Sequence, residues 1–244
     1  MFNWQPQTIQ FMRDASEYSS YYSELAGHMS RFLDKDANVC DAGCGLGYLS
    51  LALSQYCRRV TAVDVSAQAL AVLSENIVAH GYENIDVVQG DIAECPPNTP
   101  YDAMVFCFFG HMDEALSIAK AQCCGKVILV RKNWGKHRFT LHDKPLEHFT
   151  LTQMQARLSI LGIPFQSESI EFEMGQPFRS MEDAAEFYRI YSDDKQVEKI
   201  LAADVEEKLK KCIAGEFKYY LPMKKKIGMI VLDAGDIPVT IKTA

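Results

Sequence analysis

Short apolar runs separated by amphipathic stretches fill the first half of the chain. Runs with the length and residue types of buried strands lie at 39–40, Arg59–Asp64, Ile85–Gln89, 101–106 and 126–130. After the second run, Ser66 is a suitable N-cap for a helix that ends at Gly81 and whose apolar positions share one face. This alternation of strands and helices predicts an α/β fold with a doubly wound, mostly parallel sheet.

The second half of the chain adds more helices and strands. A helix over Leu151–Leu161 has apolar residues at helical spacing, and Gly162 follows as its stop. Strands are predicted over 170–173 and 226–232. Between these strands, one helix begins after Ser180 and a second carries a single apolar stripe. The stripe consists of Val197, Ile200, Leu201, Val205, Leu209 and Cys212.

Three alternate glycines follow the first apolar run. Gly43, Gly45 and Gly47 lie between that run and an apolar helix, an arrangement that brings backbone amides close to a ligand. The third glycine comes one residue earlier than in the dinucleotide pattern G-x-G-x-x-G. Asp41 opens the loop, and its carboxylate would repel a pyrophosphate but suits a ligand that carries an ammonium and a sulfonium, directly or through water. The loop therefore favours S-adenosylmethionine as the cofactor.

The motif Asp41-x-Gly43-x-Gly45-x-Gly47 resembles the first motif of class I S-adenosylmethionine-dependent methyltransferases, and the resemblance continues through roughly the first 130 residues. It implies a seven-stranded sheet with a final antiparallel strand. It also implies that Asp64 bonds the two ribose hydroxyls and that Asp91 meets the adenine amino group, with the backbone of Ile92 at the ring. The cofactor-binding residues that it implies are Asp41, Gly43, Cys44, Gly45, Gly47, Asp64, Val65, Asp91, Ile92, Cys107 and Phe108.

Each of these signals has a simpler structural explanation. An Asp at the end of a strand often caps a turn or starts a helix, and a glycine turn can merely permit close packing between a strand and a helix. The order of all three acids after successive strands favours the cofactor interpretation.

The predicted domain organisation follows from the resemblance. One domain spans 1–244, with a helical cap at 1–37, a cofactor-binding core at 38–134 and a helical insertion at 175–220. The insertion is interpreted as a lid or as a dimerisation element, because an apolar helix face can pack equally well against a second copy in a homodimer.

The exit of the fourth predicted strand should face the transferable methyl group. Its sequence, 107–111, lacks the acid or Asn followed by Pro-Pro-aromatic that methyltransferases acting on amino groups of adenine, cytosine or glutamine carry here. The apolar wall instead favours a small-molecule pocket. The candidate substrate-binding residues are Tyr18, Tyr22, Phe109, His111 and Trp134.

His111 is the candidate general base, because an unperturbed histidine titrates near neutral pH. The alternatives are a histidine that only starts a helix, and a reaction that needs alignment and desolvation but no base. Arg131, Lys132, Lys136 and Arg138 form a basic segment that could recognise a carboxylate or a phosphate on the substrate, or be a solvated loop.

Composition limits the classes of partner. The formal net charge is −7 and the isoelectric point is about 5.4, which argue against nucleic acid as the substrate. No apolar stretch reaches the roughly 20 residues of a membrane span. The eight cysteines lie in predicted core elements without a signal peptide, which favours reduced thiols in the cytoplasm.

No metal is predicted, since the cysteines and histidines lack the spacing of a zinc site. The alternative is a hard-metal site like that of catechol-type methyltransferases, built from Asp113 or Glu114 and Asn133.

The predicted function is transfer of the methyl group to an O, N, C or S nucleophile of a small molecule. The alternatives are a non-catalytic S-adenosylmethionine-binding or partner subunit, and an enzyme that transfers an aminopropyl group, against which Phe108 and Phe109 argue.

Overall fold

The computed structural model describes residues 4–133, 150–192, 200–213 and 215–241. The chain divides into two compact units. The larger unit comprises Tyr22–Asn133, Phe149–Ile170 and Ile227–Ala244, and the smaller unit includes Met1–Tyr21 and Glu171–Lys226. The prediction of one domain over 1–244 stays a prediction.

Strands and helices alternate in the order that the apolar runs predict. The strands are β1 (Asn38–Ala42), β2 (Arg59–Asp64), β3 (Ile85–Gln89), β4 (Tyr101–Cys107), β5 (Cys123–Lys132), β6 (Gln166–Glu173), β7 (Gln176–Phe178), β8 (Lys210–Lys211), β9 (Tyr219–Leu221) and β10 (Lys224–Asp233). The helices are α1 (Pro6–Tyr18), α2 (Tyr21–Ser30), α3 (Tyr48–Leu53), α4 (Ala67–His80), α5 (Met112–Gln122), α6 (Leu151–Leu161), α7 (Met181–Tyr191) and α8 (Ala202–Val205).

Seven strands form one sheet in the order β3-β2-β1-β4-β5-β10-β6. The neighbouring pairs among β1 to β5 are parallel, and β10 runs antiparallel to β5. The predicted fold class, a doubly wound and mostly parallel seven-stranded sheet with a final antiparallel strand, is confirmed. Strand order reverses between β1 and β4, and ligands of open α/β sheets bind at this kind of switch point.

The central strands of the sheet are buried because helices cover them. Met104, Phe106, Val127 and Leu129 contribute to one apolar cluster together with side chains of α5 and α6. Near-continuous apolar runs are typical of parallel strands covered on both faces. The rigid sheet therefore holds the carboxyl ends of β1, β2 and β4 in fixed register.

Helix boundaries follow the capping signals. The Ser66 hydroxyl accepts a hydrogen bond from the Ala69 amide at 3.3 Å, and α4 ends at Gly81, whose φ is +69°. Thr150 caps α6 in the same way, and Gly162 ends that helix with φ +68°. Both glycines adopt the left-handed conformation that commonly ends helices.

The smaller unit has its own apolar cluster around α1 and α7. Phe11, Phe178 and Phe187 meet edge to face, with ring centroids 5.3 to 6.1 Å apart. The buried Gln176 side chain donates to the Phe11 carbonyl at 3.0 Å. Arg179 forms an ion pair with Asp14, whose side chain is also buried.

The insertion at 175–220 contains strands as well as helices. β7, β9 and β8 form a three-stranded sheet, in which Lys210 lies opposite Tyr220. The predicted long second helix is wrong after Leu201, because α8 has only four residues and a short 3-10 turn leads directly into β8. Pairing with β9 prevails there over the helical stripe. Val197 lies outside the described residues.

Within the part of the chain that is described, no helix is both long enough and apolar enough to span a bilayer.

Candidate functional site

The three alternate glycines form a tight loop at the carboxyl end of β1. Their φ angles are +71°, +56° and +76°, a region in which other residues are strained. A Cβ at Gly43 would lie 2.2 Å from Cδ2 of Phe109, and a Cβ at Gly47 would lie 2.4 Å from Cδ1 of Leu73. The loop therefore needs glycine both for its backbone and for the side chains that press against it. At Gly47, the close approach of α4 supports the packing explanation for the glycine.

The loop is fastened to the end of β2. The amides of Gly43 and Cys44 both donate to the Val63 carbonyl, at 2.8 and 3.0 Å. The Gly45 amide donates to Oδ2 of Asp64 at 2.9 Å, and the Ser66 amide donates to Oδ1 of the same carboxylate at 2.8 Å. Asp64 therefore joins the glycine loop to the start of α4. An ionised carboxylate accepts about four hydrogen bonds, so both oxygens keep capacity for a ligand.

Asp41 is a buried acid beneath the loop. Its side chain is 1% exposed, and Oδ2 accepts a hydrogen bond from the Ser50 hydroxyl at 2.6 Å. Burial raises the pKa of Asp41 to about 6, the Ser50 hydrogen bond opposes that rise, and the negative charge of Asp64 adds to it. Burial also raises the pKa of the Cys44 thiol, helped by both acids.

Asp41 and Asp64 have no salt-bridge partner in the described part of the chain. Among the described residues, no cation balances the buried carboxylate of Asp41 or the half-buried one of Asp64. The loop carries this negative charge at a partly accessible position, since Gly43 and Cys44 are half-buried. A cationic ligand fits this charge distribution, whereas a pyrophosphate does not.

The segment after β3 is tied to the same edge of the sheet. The Gly90 amide donates to the Asp64 carbonyl at 3.0 Å, and the exposed Asp91 accepts from the Ala93 amide at 2.9 Å. Ile92 is buried, and its carbonyl accepts from Nε2 of Gln122 at 2.6 Å. Sequence reasoning missed Gln122, because a glutamine at a helix end carries no pattern that reveals a contact 30 residues away.

The exit of β4 has an unusual backbone. The Phe108 amide donates to the Val130 carbonyl at 3.0 Å, and the φ angle of Phe108 is +57°. Bulky residues rarely adopt this conformation, and it costs of order 1–3 kcal/mol. The turn places the Phe109 ring against Gly43 and 5.9 Å from the Phe106 ring centroid. The structure thus brings Phe109 to the glycine loop.

His111 is the N-cap residue of α5 and is exposed. Its amide donates to Oε2 of Glu114 at 3.2 Å, so the helix start is satisfied by Glu114. This position is the one expected for a histidine that starts a helix. It also leaves the imidazole in solvent at the carboxyl edge of the sheet, where a reacting group would lie.

The two tyrosines of the N-terminal segment lie on different helices, because the chain leaves the helical conformation at Ser19 and Ser20. Tyr22 stacks on Tyr48, the residue after Gly47, with ring centroids 6.0 Å apart. Tyr18 belongs to the smaller unit and packs against Phe217 and Tyr220.

Other residues predicted from the sequence lie elsewhere. Val65 follows Asp64 and is 39% exposed, and Cys107 ends β4. Trp134, Lys136 and Arg138 lie outside the described residues.

The residues of the alternative metal site make other bonds. Asp113 forms an ion pair with Arg157 at 2.8 Å, and Asn133 donates to the Ser169 hydroxyl at 3.1 Å. Within the described ranges, no three His, Cys, Asp or Glu side chains are grouped as a metal site would require. All eight cysteines lie in the described ranges, and each is a free thiol.

Comparisons with known proteins find a methyltransferase domain in this chain. Residues 39–126 match the family model described as a methyltransferase domain. A protein-L-isoaspartate O-methyltransferase from Synechococcus sp. (strain JA-2-3B'a(2-13)) is 28% identical over 41% of this chain. That match covers 36% of the relative, so the two proteins correspond over about a third of its length.

Solved structures extend the similarity of fold to most of the chain. YcgJ from Bacillus subtilis matches with a TM-score of 0.54 and 16% identity, over 86% of this chain and 97% of YcgJ. A protein from Bacillus halodurans C-125 assigned as a methyltransferase matches with a TM-score of 0.55 and 14% identity, over 87% and 98%. At such identities the likeness concerns the fold, while the domain match covers the glycine loop, Asp64 and Asp91. Residues 39–126 therefore match a methyltransferase domain, and the chain has the Rossmann-like fold of these structures, which together support an S-adenosylmethionine-dependent methyltransferase.

Proposed function

We propose that this protein binds S-adenosylmethionine at the glycine loop and transfers its methyl group to an O, N, C or S nucleophile of a small molecule. The observation that carries the proposal is the pair of acids beside the loop, Asp41 and Asp64, for which the described residues offer no cationic partner. Their negative charge is complementary to an ammonium and a sulfonium.

Each chain segment has a proposed role in holding the cofactor. The free lone pairs of Asp64 accept from the ribose hydroxyls, while Asp41 balances the ammonium directly or through water. Asp91 accepts from the adenine amino group, and the Ile92 peptide, held by Gln122, meets the ring. Val65, Cys107, Phe108 and the loop residues Gly43, Cys44, Gly45 and Gly47 line the site.

When bound, S-adenosylmethionine supplies a methyl group on a positively charged sulfur, an activated leaving group. The acceptor atom forms a bond to the methyl carbon as the carbon–sulfur bond breaks, the electron pair stays on sulfur, and S-adenosylhomocysteine is released. We propose that the imidazole of His111 accepts the proton that the acceptor loses. Phe109 and Tyr22 contact the acceptor and exclude water, and the roles of Tyr18 and Trp134 stay predictions.

Two observations support a small molecule rather than a nucleic acid as the acceptor. The exit of β4 carries consecutive aromatic residues, Phe108 and Phe109, and the chain is acidic, with a formal net charge of −7. The free state of all eight cysteines supports our proposal that the enzyme acts in the cytoplasm. We retain the prediction that the insertion at 175–220 serves as a lid or as a homodimer contact.

Calorimetric titration with S-adenosylmethionine and S-adenosylhomocysteine tests the cofactor assignment, and we expect both to bind. Release of S-adenosylhomocysteine is then measured over a panel of small metabolites, with a structured RNA and an isoaspartyl peptide as separate arms. Turnover of a metabolite supports the proposal. Binding without turnover in every arm would identify a non-catalytic subunit, and turnover of only the RNA or the peptide would refute the small-molecule acceptor.

Gly43→Ala should abolish measurable binding of S-adenosylhomocysteine, because the new methyl group would collide with the Phe109 ring. Gly81→Ala is the matched control. Gly81 has a similar φ of +69° but open space around its Cβ position, so this variant should lose roughly 1–2 kcal/mol of stability and keep its affinity. Calorimetry and urea unfolding measure the two effects. Equal affinities in the two variants would contradict the proposed position of the cofactor.

Cofactor affinity should depend on pH through Asp41. Since its pKa in the free protein is about 6 and the ammonium requires the carboxylate, S-adenosylmethionine should bind roughly tenfold more tightly at pH 7 than at pH 5. Asp41→Asn should bind weakly and without this dependence when titrated at the same pH values. A pH dependence that persists in Asp41→Asn would show that another group titrates.

The same variant provides its own control for folding. The raised pKa means that the folded chain favours protonated Asp41, so ionisation of this group reduces stability progressively as the pH rises from about 4 to about 6. Asp41→Asn should therefore unfold at a urea concentration no lower than the parent protein at pH 7.

His111→Gln should lower kcat by roughly 10²–10⁴ for an acceptor found in the panel, while the affinity for S-adenosylmethionine stays unchanged. His80→Gln is the control, because His80 is also exposed but bonds only to the Asn76 carbonyl of its own helix. Steady-state kinetics and calorimetry give the two quantities. Unchanged kcat in His111→Gln would show that alignment suffices without this base.

A further inference from the structure

Arg131 is a buried cation at the carboxyl end of β5. Its side chain is 9% exposed, and Nη1 donates to the carbonyls of Phe106 and Val130, both at 3.0 Å. Nη2 is buried and has no hydrogen-bond partner among the described residues. A buried guanidinium nitrogen without an acceptor is costly, so its persistence calls for an explanation.

The protein supplies Arg131 with no carboxylate at ion-pair distance in the described ranges. Glu114 is close enough to act on its charge, but the bond that Glu114 makes is to the His111 amide. Burial accordingly lowers the pKa of Arg131. Arg59 and Arg157 differ in this respect, because each bonds a carboxylate through two nitrogens.

Arg131 lies next to the place where methyl transfer is proposed. Val130 is opposite Cys107 in the parallel ladder, so Arg131 is one residue beyond the end of β4. Its bond to the Phe106 carbonyl holds the strand that leads to Phe108 and Phe109. The carboxyl ends of neighbouring parallel strands share one edge of the sheet, where ligands bind.

We propose that Nη2 of Arg131 binds an oxyanion of the methyl acceptor, so that the acceptor is a small molecule with an apolar or aromatic body and a carboxylate or phosphate group. This inference rests on the proposed function. A guanidinium presents its N–H groups in a fixed plane that suits carboxylate and phosphate oxygens. The aromatic residues at the exit of β4 suit the apolar body of the acceptor. Because the net charge of the chain is −7, its overall charge does not attract anions, and binding of an anion requires a local contact such as the one with Arg131.

Benzoate and benzamide are matched probes for this site, because they share a ring and differ in charge. We expect benzoate to bind protein saturated with S-adenosylhomocysteine at least roughly tenfold more tightly than benzamide, as measured by calorimetry. Inorganic phosphate is titrated as a second anion, and Arg131-dependent binding of phosphate in place of benzoate would support an acceptor whose oxyanion is a phosphate.

Arg131→Met should reduce the affinity for benzoate to that for benzamide. Arg59→Met is the control variant, because it removes a paired guanidinium at the start of β2 and should leave the discrimination intact. If Arg131→Met does not fold, Arg131→Lys replaces it; this variant keeps the charge without the planar fork and should lower the discrimination without abolishing it.

Equal affinities of the parent protein for benzoate and benzamide, without binding of phosphate, would overturn the inference independently of any variant. Discrimination that survives in Arg131→Met would also overturn it. The initial titration with S-adenosylhomocysteine separates failure of the proposed function from failure of the role of Arg131. If S-adenosylhomocysteine does not bind, the proposed function is refuted. If it binds but no anion is recognised, only the role of Arg131 is refuted.

Discussion

Asp64 holds together three segments of the chain, two through its carboxylate and one through its main-chain carbonyl. One oxygen accepts from the Gly45 amide in the glycine loop, and the other accepts from the Ser66 amide at the start of α4. The carbonyl of the same residue accepts from the Gly90 amide after β3. Without this carboxylate, the glycine loop and the start of α4 would each have a backbone amide to satisfy in another way. The side chain of Asp64 therefore fixes the position of the glycine loop relative to α4.

Much of the larger unit could be predicted from the sequence because its signals are local. Ser66 and Gly81 mark the ends of α4, and the apolar runs predict the strands. The rules for connections between parallel strands then limit the order in which these strands can pair. The positions of the acids after β2 and β3 follow from the strand ends alone. These features are set by residues within a few positions of one another, where propensity and capping apply.

The features that the sequence did not reveal depend on contacts between distant residues. The apolar stripe after Leu201 is consistent with a helix, but Lys210 pairs with Tyr220 in a strand. Gln122 reaches the Ile92 carbonyl across 30 residues, and the isolation of Arg131 becomes visible only once its burial is known. In each case a tertiary partner decides the role of a residue whose local pattern is neutral or misleading.

The left-handed backbone of Phe108 has a consequence for how this protein could change. Glycine or asparagine at this position would relieve the torsional penalty of the left-handed backbone. The same replacement would free the turn that presses the Phe109 ring against Gly43. Selection for a relaxed backbone and selection for the contact between Phe109 and Gly43 therefore act in opposite directions on one residue, and a screen that rewards only survival on heating would not protect that contact.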